Sequence, residues 1–143
     1  MKFRITSFAS AAIMAAGFVF AAAPAQAGHK DLHGGPCSII SKYDRDKDGK
    51  MNIFEAKRAG KVLWKKLNPD NDFTLEYDEV DKRISPSEFK KWNKIGRKGL
   101  DRIEWTRLVK HRFKVANPDN DRTIECDELH TDAGHDFLAV TFH

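Results

Sequence analysis

Oxygen-bearing side chains recur in three acidic windows of twelve residues. The first holds Asp44, Asp46, Asp48, Lys50, Asn52 and Glu55. The second holds Asn68, Asp70, Asp72, Thr74, Glu76 and Glu79, and the last holds Asn117, Asp119, Asp121, Thr123, Glu125 and Glu128. In each window an oxygen side chain falls at positions 1, 3, 5, 9 and 12, and an apolar residue (Met51, Leu75 or Ile124) falls at position 8. Alternate residues of a tightly curled loop point inward, so this spacing gathers oxygens around one point. A hard cation takes about six to eight oxygens at roughly 2.3–2.6 Å. The side chains at 1, 3, 5 and 9 supply four. The backbone carbonyl at position 7 (Lys50, Thr74 or Thr123) supplies another, and the position-12 Glu reaches back with both of its oxygens.

That pattern is the EF-hand loop. Each window offers four side-chain carboxylates at its ligand positions, a charge that suits Ca²⁺ and a trivalent lanthanide ion alike. A fourth window follows from the register. The first two loops start at 44 and 68, and the same step back from 117 reaches 93. Asn93–Glu104 keeps Asn93, Leu100, Asp101 and Glu104 but puts Ile95 and Arg97 where carboxylates belong. It reads as a degenerate hand that stays empty, with Arg97 or Lys98 neutralising Asp101 and Glu104.

The segments between the windows, 56–67, 80–92 and 105–116, are too short for two helices each. One helix must therefore leave one loop and enter the next. Ala56, Ala59, Val62, Leu63 and Leu67 fall near one helical face of the first segment. Trp105, Leu108, Val109, Phe113 and Ala116 do so in the last. In the middle segment Ser85-Pro86-Ser87-Glu88 reads as a helix start, with Ser85 as N-cap and Pro86 in the first turn. The expectation is an all-α fold, a compact three-helix core with four EF-hand-type loops at the helix ends.

Asn68-Pro69-Asp70-Asn71-Asp72 with Thr74 and Leu75 resembles the loops of the lanmodulin family of periplasmic lanthanide-binding proteins. Asn117-Pro118-Asp119-Asn120-Asp121 with Thr123 and Ile124 does so too. The loop-to-loop register and Phe113-Lys114-Val115-Ala116 resemble that family as well, and the likeness spans about Ser38 to Leu129. The resemblance implies shared helices and selectivity for trivalent lanthanides over Ca²⁺. It implies a secreted, metal-responsive, non-catalytic protein. The chain departs from the family in several places. Position 2 is Arg45 in the first loop and Lys94 in the third, and position 9 is Asn52, Glu76 or Glu125. Position 6, where the loop turns through positive φ, is Phe73 in the second loop and Arg122 in the fourth. A bulky residue held there costs roughly 1–2 kcal/mol. The first loop alone joins a glycine at that position, Gly49, to a full ligand set. These changes, and a basic composition, mark a divergent relative.

Position-8 strands associate in twos. Because Ser85-Pro86 interrupts the middle segment, the second and third loops can fold against each other, leaving the first to the fourth. The resemblance implies the same pairing. Met51 then faces Ile124 and Leu75 faces Leu100. Cys37 and Cys126 fall near each other in that arrangement, and a bridge between them is its corollary. Composition by itself leaves free thiols equally open.

The chain has 143 residues. Lys2 and Arg4, the apolar run 5–23 and the ending Ala25-Gln26-Ala27 read as a secretory signal cleaved after Ala27. A retained membrane anchor is the alternative. Residues 28–37 then form an N-terminal tail and 38–143 the EF-hand domain, exported to the periplasm or beyond. The remaining chain carries 23 basic and 21 acidic residues. It has no long apolar run, which excludes stable membrane insertion. Six of the ten Phe and all three Trp lie in it and need a core, which argues against disorder. Gly28-His29-Lys30 offers an amine, an amide and an imidazole to Cu²⁺, with a plain polar tail as the alternative. No nucleophile–base set or phosphate-binding glycine loop is present, so an enzyme is not expected. The helices are basic: Lys57, Arg58, Lys61, Lys65 and Lys66 on the first, and Arg107, Lys110, His111, Arg112 and Lys114 on the last. They form a solvated face that offsets the acidic loops, or a docking face for an acidic periplasmic partner. Nucleic acid is not an expected partner of an exported chain. The expected ligand is Ca²⁺ or a lanthanide ion, bound by a sensor or buffer. The second reading is an interaction protein whose hands are mainly structural.

Overall fold

The computed structural model describes residues 35–143. The signal sequence, the first part of the tail and the Gly28-His29-Lys30 chelate lie outside the described residues. Chain order is α1 (Ser38–Tyr43), β1 (Met51–Asn52), α2 (Ile53–Leu67), β2 (Thr74–Leu75) and α3 (Tyr77–Val80). Then come α4 (Pro86–Trp92), β3 (Leu100–Asp101), α5 (Arg102–Ala116), β4 (Thr123–Ile124), a 3₁₀ turn (Glu128–His130) and α6 (Asp132–Ala139). The described residues are mainly helical, with two small sheets.

The two long helices begin in the same way. Asn52 caps α2 by accepting from the N–H groups of Phe54 and Glu55, while Glu55 accepts back from the Asn52 N–H. Asp101 and Glu104 repeat this reciprocal box on α5. In these two loops position 9 is thus the N-cap of the next helix, and position 12 is its third residue. Lys65 and Lys66 in the last turn of α2, and Lys114 in that of α5, face the negative end of the helix dipole.

The apolar faces meet in one core. α2 packs on α5 where Gly60 comes against Val109, and Trp105 Nε1 donates to the Gly60 carbonyl at 3.0 Å. Every residue expected on the buried face of α5 is buried: Trp105, Leu108, Val109, Phe113 and Ala116. On α2 the face is rotated from the expected one. Val62 is exposed, and Gly60 and Trp64 are buried instead.

The middle segment breaks where Ser85-Pro86 reads as a helix start: α3 ends at Val80 and α4 starts at Pro86. Pro86 has no N–H to continue a helix, and Ser85 restarts one by accepting from the Glu88 N–H at 3.2 Å. The third helix against the core is α6, which packs on α5 through Phe137 and Phe113, their rings 6.0 Å apart and edge to face. Arg112 is likewise not on the exposed basic face. It is buried, paired through Nε and Nη2 with the two carboxylate oxygens of Glu88 at 3.1 and 2.6 Å, and donates to the Asp136 carbonyl at 2.6 Å. Such a fork ties α4, α5 and α6 together.

β1 pairs antiparallel with β4, Met51 opposite Ile124, and β2 with β3, Leu75 opposite Leu100. The first loop therefore joins the fourth and the second joins the third. α2 leads from the first pair to the second, and α5 leads back. Cys37 and Cys126 are disulfide-bonded, with Cα atoms 5.1 Å apart, beside the first–fourth pair.

Candidate metal sites

The first loop (44–55) brings Asp44, Asp46 and Asp48 together, each offering an oxygen within 4.8 Å of the others. Backbone N–H groups of Lys47 and Gly49 donate to Asp44 at 2.6 and 2.9 Å. These bonds hold the Asp44 carboxyl below its ordinary pKa, although desolvation opposes them. Asp46 is pushed up, by desolvation first and then by the charges of Asp48 and Glu55. Glu55 is buried, accepting from the Arg45 N–H at 2.7 Å and the Asn52 N–H at 3.0 Å. Gly49 has φ of 78°, the left-handed turn expected at position 6.

The second loop (68–79) gathers Asp70, Asp72 and Glu76 in the same way. Asn68, only 4% exposed, lies at its head. Asn68 Nδ2 donates to the carbonyls of Thr74 and Asp72 at 3.0 and 3.1 Å and approaches Asp72 Oδ1 at 3.5 Å. Its Oδ1 is buried and has no partner. Glu79 accepts from the Glu76 N–H at 2.9 Å through one oxygen. Burial raises its pKa, and neighbouring Asp70, Glu76 and Asp78 add to the shift.

The fourth loop (117–128) repeats the head of the second. Asn117, 3% exposed, donates through Nδ2 to the Thr123 carbonyl and to Asp121 Oδ1, and its Oδ1 is also buried without a partner. Glu128 accepts from the Glu125 N–H through one oxygen, and burial raises its pKa. The carboxylates of this loop do not converge as those of the first two do. Asp121 is bonded by the N–H and hydroxyl of Thr123, all at 2.8 Å, which lowers its pKa. Lys50 Nζ, from the first loop, pairs with Glu125 Oε1 and lies 3.5 Å from Asp121 Oδ2.

The third loop (93–104) is closed on itself. Glu104 is 1% exposed, and its oxygens accept from the N–H groups of Lys94, Ile95 and Asp101 at 2.7, 2.9 and 3.1 Å. Asn93 accepts from the Gly96 N–H and donates to the Arg97 carbonyl. The sequence offers Arg97 or Lys98 to neutralise Asp101 and Glu104. Among the described residues neither makes that ion pair; backbone amides do the work instead.

Position 6 also departs from expectation. Arg122 takes the left-handed conformation with φ of 80°, but Phe73 does not. Position 4 is left-handed in all four loops, at Lys47, Asn71, Gly96 and Asn120, with φ between 59° and 69°. Asn and Gly at three of these positions were a readable signal, because both tolerate that region. The reach of Lys50 into the fourth loop was readable only through the β1–β4 register, which sets it across from Glu125.

A cation fits the second and fourth loops on the evidence of their asparagines. A buried acceptor without a donor costs about 1–3 kcal/mol. In both loops that acceptor shares an amide with an NH₂ held by the position-7 carbonyl and the position-5 side chain. Half a turn of the amide exchanges O for N. All these oxygens would then face one point, an arrangement that a cation would satisfy. A scan of protein families and a search of curated proteins find nothing that matches the chain.

Proposed function

We propose that the chain is an exported EF-hand metal-binding protein that takes Ca²⁺ or a trivalent lanthanide ion and acts as a sensor or buffer. The observation that carries this reading is the pair of buried, unpartnered amide oxygens of Asn68 and Asn117 at the heads of two equivalent loops. Asp44, Asp46, Asp48, Asn52, Glu55 and the Lys50 carbonyl would hold an ion in the first loop. Asn68, Asp70, Asp72, Glu76, Glu79 and the Thr74 carbonyl would do so in the second. Asn117, Asp119, Asp121, Glu125, Glu128 and the Thr123 carbonyl are the set in the fourth. The third loop takes none, because Ile95 and Arg97 stand where the other loops have carboxylates. A bound ion supplies positive charge, which lets the clustered carboxylates stay together.

The residues themselves transmit occupancy to the fold. Glu55 and Glu79 are each a candidate ligand and part of the N-terminal box of the following helix. Holding them in a loop fixes that helix start. The resemblance to the lanmodulin family supports the same reading, and so does a disulfide, which persists in an oxidising compartment. The chain is titrated with Ca²⁺ and with La³⁺, followed by calorimetry and by circular dichroism during thermal unfolding. We expect saturable binding and a rise in the unfolding midpoint. At free ion one hundred times Kd, each site adds about 2.7 kcal/mol. No heat and no change of midpoint with either ion at millimolar concentration would refute the proposal.

A further inference from the structure

Lys50 occupies a place unlike that of any other position-7 residue. Thr74 and Thr123 turn their hydroxyls back onto Asp72 and Asp121, the position-5 carboxylates of their own loops. Gly99, in the third loop, has no side chain. Lys50 instead crosses to the other loop of its pair. β1 and β4 run antiparallel with Met51 opposite Ile124 and Asn52 opposite Thr123. One step along that ladder sets Lys50 opposite Glu125. Its ammonium pairs with Glu125 Oε1 and comes to 3.5 Å from Asp121 Oδ2. These are the position-9 and position-5 carboxylates of the fourth loop. Among the described residues no lysine or arginine stands in this way over the acidic clusters of the first or second loop.

From this geometry we infer that Lys50 is a tethered counter-ion of the fourth loop, which an incoming metal ion must displace. The inference rests on the metal-binding reading above and adds which residue sets affinity at one site. The ammonium neutralises part of the charge that would attract a cation, and it engages two of the oxygens a cation needs. A site held by its own lysine binds more weakly than the same ligands left free. The pair is partly exposed, with side chains 40% and 44% accessible. Exposed ion pairs of this kind shift an equilibrium by about two- to fivefold, which is the size of effect expected here. The backbone of Lys50 belongs to the first loop, so one residue touches both sites of the pair.

The test compares the full chain with Lys50→Gln and Lys50→Arg. Each is titrated with Ca²⁺ and with La³⁺, and the backbone amide resonances of Asp121 and Thr123 report the fourth loop. Those of Asp72 and Thr74 report the second. We expect Lys50→Gln to bind about two- to fivefold more tightly at the fourth loop, and Lys50→Arg to resemble the parent. The second loop should not move in either variant. If the fourth loop binds with equal affinity in all three proteins, the inference fails and metal binding stands. Equal gains at both loops would also overturn it, because the effect would then be one of net charge. If neither ion shifts any of these resonances, the metal-binding proposal falls and the inference falls with it.

Discussion

Position 6 separates two residues that look equally out of place in the sequence. Arg122 is held at φ of 80°, whereas Phe73 avoids the left-handed region. A non-glycine residue held there costs of order 1–3 kcal/mol, and glycine gives back part of the gain by loosening the unfolded chain. Arg122→Gly should therefore stabilise the protein by about 0.5–1 kcal/mol in urea unfolding. Phe73→Gly relieves no strain and should lower stability by a few tenths up to about 1 kcal/mol. Gains of similar size in both variants would contradict the backbone argument. The role of Glu55 is argued at the same scale. It is buried and bound by the N–H groups of Arg45 and Asn52, so it both caps α2 and offers charge to the first loop. Glu55→Gln leaves one of those N–H groups facing an NH₂ and removes a carboxylate from the proposed ligand set. We expect the first loop to lose at least tenfold in Ca²⁺ affinity, read at the Asp46 and Asp48 amides. An unchanged titration at those amides would count against Glu55 as a ligand.

The elements were legible in the sequence to the extent that their signals were local. The reciprocal boxes at Asn52–Glu55 and Asp101–Glu104 are short local motifs that set where α2 and α5 begin, although in the sequence that spacing reads for metal ligands alone. The break at Ser85-Pro86 was likewise readable, because proline removes a donor wherever it stands. Other features depended on long-range contacts. α6 carries a short apolar pattern outside the loop register, and only packing against α5 makes it part of the core. The buried side of α2 shifted from Val62 to Gly60 and Trp64 because Val109 needs a residue without a side chain opposite it. The Lys50–Glu125 pair exists only once β1 lies against β4. The β2–β3 pairing has its own local requirement. A Cβ on Gly99 would lie 2.3 Å from the Leu75 carbonyl oxygen, and backbone does not yield as a flexible side chain does. Gly99→Ala should cost about 2–3 kcal/mol and loosen the second–third sheet first. Denaturant unfolding measures the loss, and wild-type stability in the variant would show that the two loops have room to separate.

At the scale of the whole molecule, the two loop pairs sit at opposite ends of α2 and α5. Their closures differ. The second and third loops are neighbours in the chain, so β2 and β3 meet after a short excursion. The first and fourth are brought together from the far ends of the domain, and the Cys37–Cys126 bridge spans a sequence separation of 89. Crosslinking a loop of that length restricts the unfolded chain by about 4 kcal/mol in the chain-entropy account. That advantage belongs to the pair that is costly to close. Reduction should therefore lower the global stability by about 4 kcal/mol, read as a fall in the urea midpoint with and without reductant. It should also act unevenly. Amide exchange at Met51 and Ile124 should speed up more than at Leu75 and Leu100, because β1–β4 loses its covalent tie while β2–β3 keeps a short connection. The same asymmetry should appear in metal binding, with the first and fourth loops weakened on reduction and the second little changed. Equal acceleration of exchange in both sheets, or a midpoint indifferent to reductant, would sink the idea that the bridge serves the first–fourth end of the molecule.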